Sequence, residues 1–590
     1  MMFLKRFFAA FLGALAALWF FFLIGMILLV GLSQIDPAVT VSNNTVLTLK
    51  LNRPLLDYQG STKDDLFSAF FQEYMAVDDI VEAIDKAATD GKIKGISIET
   101  PVVIGGWSQT TAIREAIARF KESGKFVYAY ADTYTQRAYY LSSVADSIFI
   151  PAAGAIDLRG LASELTYYKS FQDKTGLKME VIRHGKYKAA VEPYLEDEPS
   201  AANLEQIKQV LASLWNEVSS EIRNNRGLDS ASFEAIVHSA EARDPERALT
   251  LGIIDRIAYR DSYEEALKLA VNADSNPVSA GSALNTMNIS SYGRVQTDTA
   301  PATSDRIALI YAQGTILYGE GSPTLMGQTT MNKALVSARE DNTVKAIVLR
   351  INSPGGSALT SDLIWREVEK TAKVKPVVVS ISDIAASGGY YIATPATYII
   401  ADKTAITGSI GVFGTLPNAS AIAKEWGINS YSVGTHERSF TYSVVQPLSD
   451  SFRAELQDGI ERTYDLFIER VATGRGMTPE EVDAIAQGRV WSAKDGLEVG
   501  LVDEIGGLHR ALEKASELAN IESYKVRKYP RYKSDIERLL GDLPSAMTQR
   551  WFAEYTPSWA QRYAEFWKGI KGSDEQFEIQ ARMPFDLNIE

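Results

Sequence analysis

The sequence predicts an α/β protein made by tandem duplication and preceded by one membrane-spanning helix. Three observations carry that prediction. A long uncharged apolar run lies near the N-terminus, and an internal repeat recurs at an offset of about 250 residues. Inside each repeat, short β-branched strands alternate with helical segments across Gly-rich turns.

The apolar run comes first. Lys5-Arg6 precede an uncharged stretch from Phe7 to Leu32. At about 1.5 Å per residue it is long enough for a hydrocarbon core of about 30 Å. A removable secretory signal has a shorter apolar core, about 7–15 residues, and a small-x-small cleavage site. Ser33-Gln34-Ile35-Asp36-Pro37 is a poor site of that kind, so an uncleaved anchor is favoured over a removed signal. The two positive charges should stay in the cytoplasm and place the rest of the chain outside it.

Composition narrows the classes of protein. The chain has 590 residues, 46% hydrophobic and 23% charged, near the globular average, which disfavours collagen-like, disordered and multi-span classes. Sixty Lys and Arg against 74 Asp and Glu leave a net charge of −14, without the basic footprint of a nucleic-acid binder. There is no cysteine, which excludes disulfides, thiolate metal sites and Cys nucleophiles. The four histidines, His184, His238, His436 and His509, form no metal-binding spacing, so neither metal nor cofactor is expected.

Three ordered blocks define the repeat. Ile104-Gly105-Gly106 matches Pro354-Gly355-Gly356; Asp132 to Tyr140 matches Asp383 to Tyr391; Ala248 to Asp255 matches Gly496 to Asp503. The expected layout is an anchor over 1–43, a first copy over 44–273, a Ser/Thr/Asn-rich linker over 274–304, a second copy over 305–532 and a tail over 533–590. The tail carries Trp551, Phe552, Trp559, Tyr563 and Trp567 among charges; it is expected to be a helix packed on the body, with a membrane-surface helix as the alternative. In the second copy Lys345 to Ile351 reads as a strand, Asn352 to Gly356 as a turn, Ser361 to Lys373 as a helix and Pro376 to Ile381 as a second strand.

That second strand leads to Ala385-Ala386-Ser387-Gly388-Gly389. Small neighbours let a peptide backbone approach Ser387, and a helix start offers unpaired N–H groups to a developing negative charge. Ser387 is thus a candidate nucleophile; the bland alternative is a serine that merely caps a helix. A serine nucleophile needs a proton acceptor. Arg183 to Pro193 offers two, His184 and Lys188. Lysine serves as a base near neutrality only if burial lowers its pKa by roughly 3 units, and spacing does not choose between the two.

Taken together, Asn352-Ser-Pro-Gly-Gly356, Ser382-Asp-Ile-Ala-Ala-Ser387-Gly-Gly-Tyr-Tyr391, Thr407-Gly-Ser409-Ile-Gly-Val412, Gly185-Lys-Tyr-Lys188-Ala-Ala-Val-Glu-Pro193 and Gly488-Arg-Val-Trp-Ser492 resemble the signal peptide peptidase A (protease IV) family in its long, duplicated form. The resemblance covers nearly the whole chain. It implies a Ser/Lys dyad peptidase on a ClpP/crotonase-like fold. Matched by position, Ser387 is the nucleophile, Lys188 the general base and Ser409 the residue that orients the lysine, while the N–H groups of Gly356 and Gly388 form the oxyanion hole. The first copy has Gln136, Arg137 and Ala138 in place of Ser387 and the two glycines. The position matching Lys188 in the second copy falls at Arg438–Ser439, and an arginine stays protonated. Each copy would then hold one member of the dyad.

The resemblance further implies a homotetramer on the periplasmic side of a bacterial inner membrane. Its substrates would be remnant signal peptides and other short or unfolded peptides, with no nucleic-acid partner. A non-catalytic peptide-binding scaffold and a thioester-processing enzyme of the same fold are the competing expectations.

Overall fold

The computed structural model describes residues 2–33, 40–60, 74–273, 284–295, 303–436, 438–532 and 580–582. Met2–Ser33 is one helix. Its large apolar side chains among the described residues, such as Phe7, Phe11, Trp19 and Phe22, are exposed rather than packed on the body, and its apolar stretch is long enough to cross a bilayer.

Each copy is built on a parallel sheet, and the strand order is the same in both. In the first the order is Arg256–Ile257, Ser147–Ile150, Phe126–Tyr130, Ile93–Ile98, Thr45–Leu49, Asn285–Asn288. In the second it is Glu504–Ile505, Tyr398–Ala401, Val377–Ala386, Val344–Ser353, Arg306–Gln313, Lys525–Tyr529. Every neighbouring pair in these two series is parallel. The central strands are rich in Val and Ile because a parallel sheet is covered on both faces. Ile347, Leu349 and Ile351 from one strand and Val377, Val379 and Ile381 from its neighbour share one core. Each such side chain stabilises the fold by about 1.5–3 kcal/mol on burial. Matching 26-residue helices, Ala201–Arg226 and Asp450–Arg475, begin at Ser caps whose hydroxyls accept a backbone N–H and end at left-handed glycines.

Two expectations change here. Residues 285–293 lie in the stretch read from sequence as linker, yet they form a strand and a short helix of the first copy. Asn285–Asn288 supplies hydrogen bonds to the edge of Thr45–Thr48, as Lys525–Tyr529 does for the second copy, and an open edge needs that partner. In the tail, residues 533–579 lie outside the described residues. Gln580–Arg582 is a strand rather than helix, pairing antiparallel with Gly355–Ser357.

The copies interlock. Lys178–His184 of the first runs antiparallel to Val412–Asn418 of the second through seven consecutive residue pairs. The first copy's core also takes in Ala386, Ile406 and Val490 from the second. Lys403 reaches across to Glu221 at 2.8 Å and Glu115 at 3.1 Å.

Candidate active site

The strand Val377–Ala386 ends where Ser387 turns the chain into the short helix Gly388–Tyr391. Ser387 has φ 53°, a left-handed conformation rare for a side-chain-bearing residue. Its N–H donates to Gly408 O at 2.8 Å, and its own carbonyl accepts from Tyr391 N–H at 2.8 Å. The hydroxyl makes no cap bond to the helix, which removes the bland reading of Ser387. It faces Lys188.

Lys188 Nζ lies 2.9 Å from Ser387 Oγ, 3.1 Å from Ser409 O and 3.1 Å from Ser409 Oγ. Both side chains are inaccessible to solvent. The lysine arrives there because Lys178–His184 is stitched to the second copy's sheet and the chain then turns at Gly185. Tyr187 N–H donates to Gln487 O at 2.8 Å just before it. A Cβ on Gly488 would come within 2.7 Å of the Lys188 backbone and side chain, so only glycine leaves room at that position. Burial drives the lysine pKa well below its ordinary value, and its hydrogen-bonding partners are hydroxyls and a carbonyl rather than a carboxylate. A neutral amine has two N–H donors and one lone pair. With two N–H bonds to Ser409, a neutral amine can turn its lone pair to the Ser387 hydroxyl, whose other acceptor is Gly411 O at 3.4 Å.

The other residues singled out from sequence collect around this pair, except His184. Ser409 (φ 51°) is fixed by its N–H on Arg489 O at 2.6 Å. Gly388 opens the helix after Ser387, in the first turn where amides lack an intrahelical partner. Gly356 lies on Gly355–Ser357, where a Cβ would fall 2.2 Å from Ile316 O. Ser353 and Ala385 pair across neighbouring strands, so both glycine turns leave the sheet at the same end. His184, four residues from Lys188, is engaged elsewhere: Nδ1 lies 2.5 Å from Glu461 Oε2 and the ring stacks on Tyr464 at 3.8 Å.

In the first copy the corresponding turn is filled. The Gln136 amide donates to Gly160 O at 2.9 Å and its carbonyl accepts from the Gly160 and Arg159 N–H groups. Arg137 lies over Trp107 at 4.8 Å. Arg438 sits in an exposed loop. Sequence reasoning passed over Asp57, Asn352 and Asp383, which converge beside the site; Asn352 and Asp383 lie inside quoted motifs, but nothing in a one-dimensional pattern signals their meeting.

The model of peptidase family S49 matches residues 119–274 and 369–522, one match in each copy. Protease 4 of Haemophilus influenzae is 36% identical over 455 residues, covering 75% of this chain and 73% of that protein. Protease 4 of Salmonella typhi is 36% identical over 460 residues, 76% and 73% of the two chains. A chloroplastic serine protease of Arabidopsis thaliana is 31% identical over 494 residues, 82% and 71%. Among solved structures, a membrane-bound stomatin-specific protease aligns with 39% of this chain and 99% of its own at 15% identity and a TM-score of 0.26. With two family matches on two like-ordered sheets, and relatives aligned across both, the chain belongs to peptidase family S49 as a duplicated, serine-type peptidase.

Proposed function

We propose that the protein is a membrane-anchored serine endopeptidase that uses a Ser/Lys dyad to degrade cleaved signal peptides and other short or unfolded peptides in the cell envelope. Ser387 is the nucleophile, Lys188 the general base, Ser409 the residue that orients the amine, and the Gly356 and Gly388 N–H groups the oxyanion hole. One observation carries this reading: a fully buried lysine of the first copy lies 2.9 Å from a serine hydroxyl of the second.

The neutral Nζ takes the proton as Ser387 Oγ adds to the scissile carbonyl. The oxyanion settles on the two glycine amides, and preorganised donors of this kind contribute about 2.7–4 kcal/mol each. Lys188 then passes its proton to the leaving amine, and an acyl-enzyme on Ser387 remains for water activated by the same base. Peptide binding is supported by the chain itself. Gln580–Arg582 lies extended and antiparallel to Gly355–Ser357, with Gln580 opposite Phe413 on the other side. A substrate running the same way displaces that segment.

The Met2–Ser33 helix is the anchor, with Lys5 and Arg6 on the cytoplasmic side and both copies on the periplasmic side of a bacterial inner membrane. The working assembly is a homotetramer. The test is hydrolysis of an apolar fluorogenic peptide by the full chain in detergent. Ser387→Ala and Lys188→Ala should each lower turnover by at least about 100-fold while the protein stays folded; full activity in Lys188→Ala overturns the dyad.

A further inference from the structure

The second copy sends a carboxylate into the first. Asp383 lies on the strand Val377–Ala386, four residues before Ser387. Its Oδ1 accepts the Ser108 N–H at 2.8 Å, in the first turn of the helix Trp107–Glu122. Its Oδ2 accepts from Asn352 Nδ2 at 3.2 Å, and Asn352 lies four residues before Gly356. The same amide nitrogen lies 3.4 Å from Oδ1 of Asp57, which belongs to the first copy. Gln109 closes the loop: its Nε2 donates to Asp57 Oδ1 at 2.8 Å, and its Oε1 accepts the Gly106 N–H at 2.9 Å. Arg350 Nε faces Asp57 Oδ2 at 3.5 Å, and its other nitrogens donate to Ser380 Oγ and Ser382 Oγ on the nucleophile strand.

The receptor for Asp383 is the first copy's counterpart of the Gly356 turn. Gly106 matches Gly356, and a Cβ on Gly106 would fall within 1.9–2.1 Å of the Asp383 carboxyl group. Gly106 has φ −77° and ψ 169°, which any residue adopts, so backbone conformation does not demand glycine there. The carboxylate does. A turn that binds a reaction's oxyanion in one copy thus holds a side-chain anion in the other.

We infer that Asp383 is a positioning residue for the peptidase reaction, clamping the strands that lead into Ser387 and Gly356 against the copy that supplies Lys188. The inference rests on the dyad reading above. Asp383 lies at an irregularity of its strand, four residues and at most about 13 Å before Ser387, and its hydrogen bonds go to Ser108 and Asn352 rather than to a residue of the dyad. Stability alone does not account for the cluster. Two carboxylates beside one arginine are costly to bury, and apolar side chains of similar size commonly serve stability as well or better. Burial and the neighbouring Asp57 push the Asp383 carboxyl up to about 7. What the network supplies is geometry: the Asp383–Ser108, Asn352–Asp57 and Arg350–Asp57 contacts join the two copies, the Asp383–Asn352 and Arg350–Ser380/Ser382 bonds join the two strands that carry the site, and Gln109 braces Asp57 within the first copy.

The test uses the full chain, an apolar fluorogenic peptide and five variants. Asp383→Ala removes the carboxylate, and Gly106→Ala displaces it from the opposite side of the interface. Each should lower kcat by about 10- to 100-fold, as expected for reacting groups misplaced by about an ångström, with KM within about 2-fold of the parent. The double variant should be no worse than the poorer single one, because both remove one interaction. Asp383→Asn keeps the volume and an acceptor for Ser108, and should restore kcat to within about 5-fold of the parent. Parental kcat in Asp383→Ala or Gly106→Ala overturns the inference. So does a loss that Asp383→Asn fails to rescue and that tracks a lowered Tm, since that is the behaviour of interface packing alone. Ser387→Ala in the same assay separates the two readings: turnover surviving there sinks the dyad, whereas turnover lost there but kept in Asp383→Ala sinks only the positioning role.

Discussion

The two copies share a strand order, a pair of 26-residue helices and a Gly-Gly turn, yet they differ at the residues proposed to do the chemistry. In the second copy the turn after Val377–Ala386 carries Ser387 and two glycines; in the first it carries Gln136, Arg137 and Ala138. Gln136 is tied to Gly160, and the Gly106 turn is spent on Asp383. The first copy keeps Lys188, which the second has no means to replace with its exposed Arg438. On the proposed dyad, duplication has divided one set of tasks rather than doubled it. The sheets supply equivalent frames, and in that proposal the side chains at their ends decide which frame attacks and which accepts the proton.

The largest expected effect tests that division directly. Ser387→Ala should lower peptide hydrolysis by at least about 10³-fold. Adding Gln136→Ser and Arg137→Gly in that background should return no activity, because among the described residues the one buried lysine, Lys188, faces Ser387 of the second copy instead. Measurable turnover by the restored chain would break the contrast.

Next in size, Lys188→Ala should reduce kcat by about 10²- to 10⁴-fold, the usual contribution of a positioned general base. Lys188→Arg should fare no better, since guanidinium does not give up its proton. In the parent, kcat/KM should fall as pH drops through the lowered Lys188 pKa and Nζ becomes charged. A pH–rate profile measures this limb, and a profile flat down to about pH 5 would count against an amine base.

Ser409→Ala sharpens the picture. It removes one of three acceptors that favour the charged amine, so the acid limb should move to lower pH while kcat drops by about 10-fold.

Smaller still is a stability effect of opposite sign to the activity loss. The folded state holds Lys188 at a depressed pKa, so between that value and the ordinary lysine value the unfolded chain binds the extra proton and stability rises with pH. Lys188→Met should therefore raise Tm in calorimetric scans, more at about pH 6 than at about pH 9. Removing the chain from residue 580 onward should lower KM modestly, because substrate no longer displaces Gln580–Arg582.

Much of the fold was legible in the sequence because glycines and small residues mark tight places. The matched Gly-Gly turns reported the duplication, and Ala386-Ser387-Gly388-Gly389 reported a strand-to-helix turn with a hydroxyl at its corner. The burial of Lys188 against Ser387 was not legible from spacing. Its burial depends on Lys178–His184 pairing with a strand more than 200 residues away, and on Gly488 making room. His184, the more conventional base, sits on that same strand, and only the fold turns it toward Glu461. Asn285–Asn288 looked like linker because Asn, Thr, Met and Asn at a sheet edge carry no hydrophobic period. Asp383 was visible as a residue but not as a contact.

The seven-residue seam between Lys178–His184 and Val412–Asn418 has a practical consequence. A chain severed between residues 296 and 302, after the first copy's edge strand Asn285–Asn288, yields two fragments, one with the amine and one with the alcohol, and the seam is the surface on which they would find each other. Mixed fragments should recover turnover in proportion to the product of their concentrations, which would make the protein a split reporter whose signal is proteolysis itself.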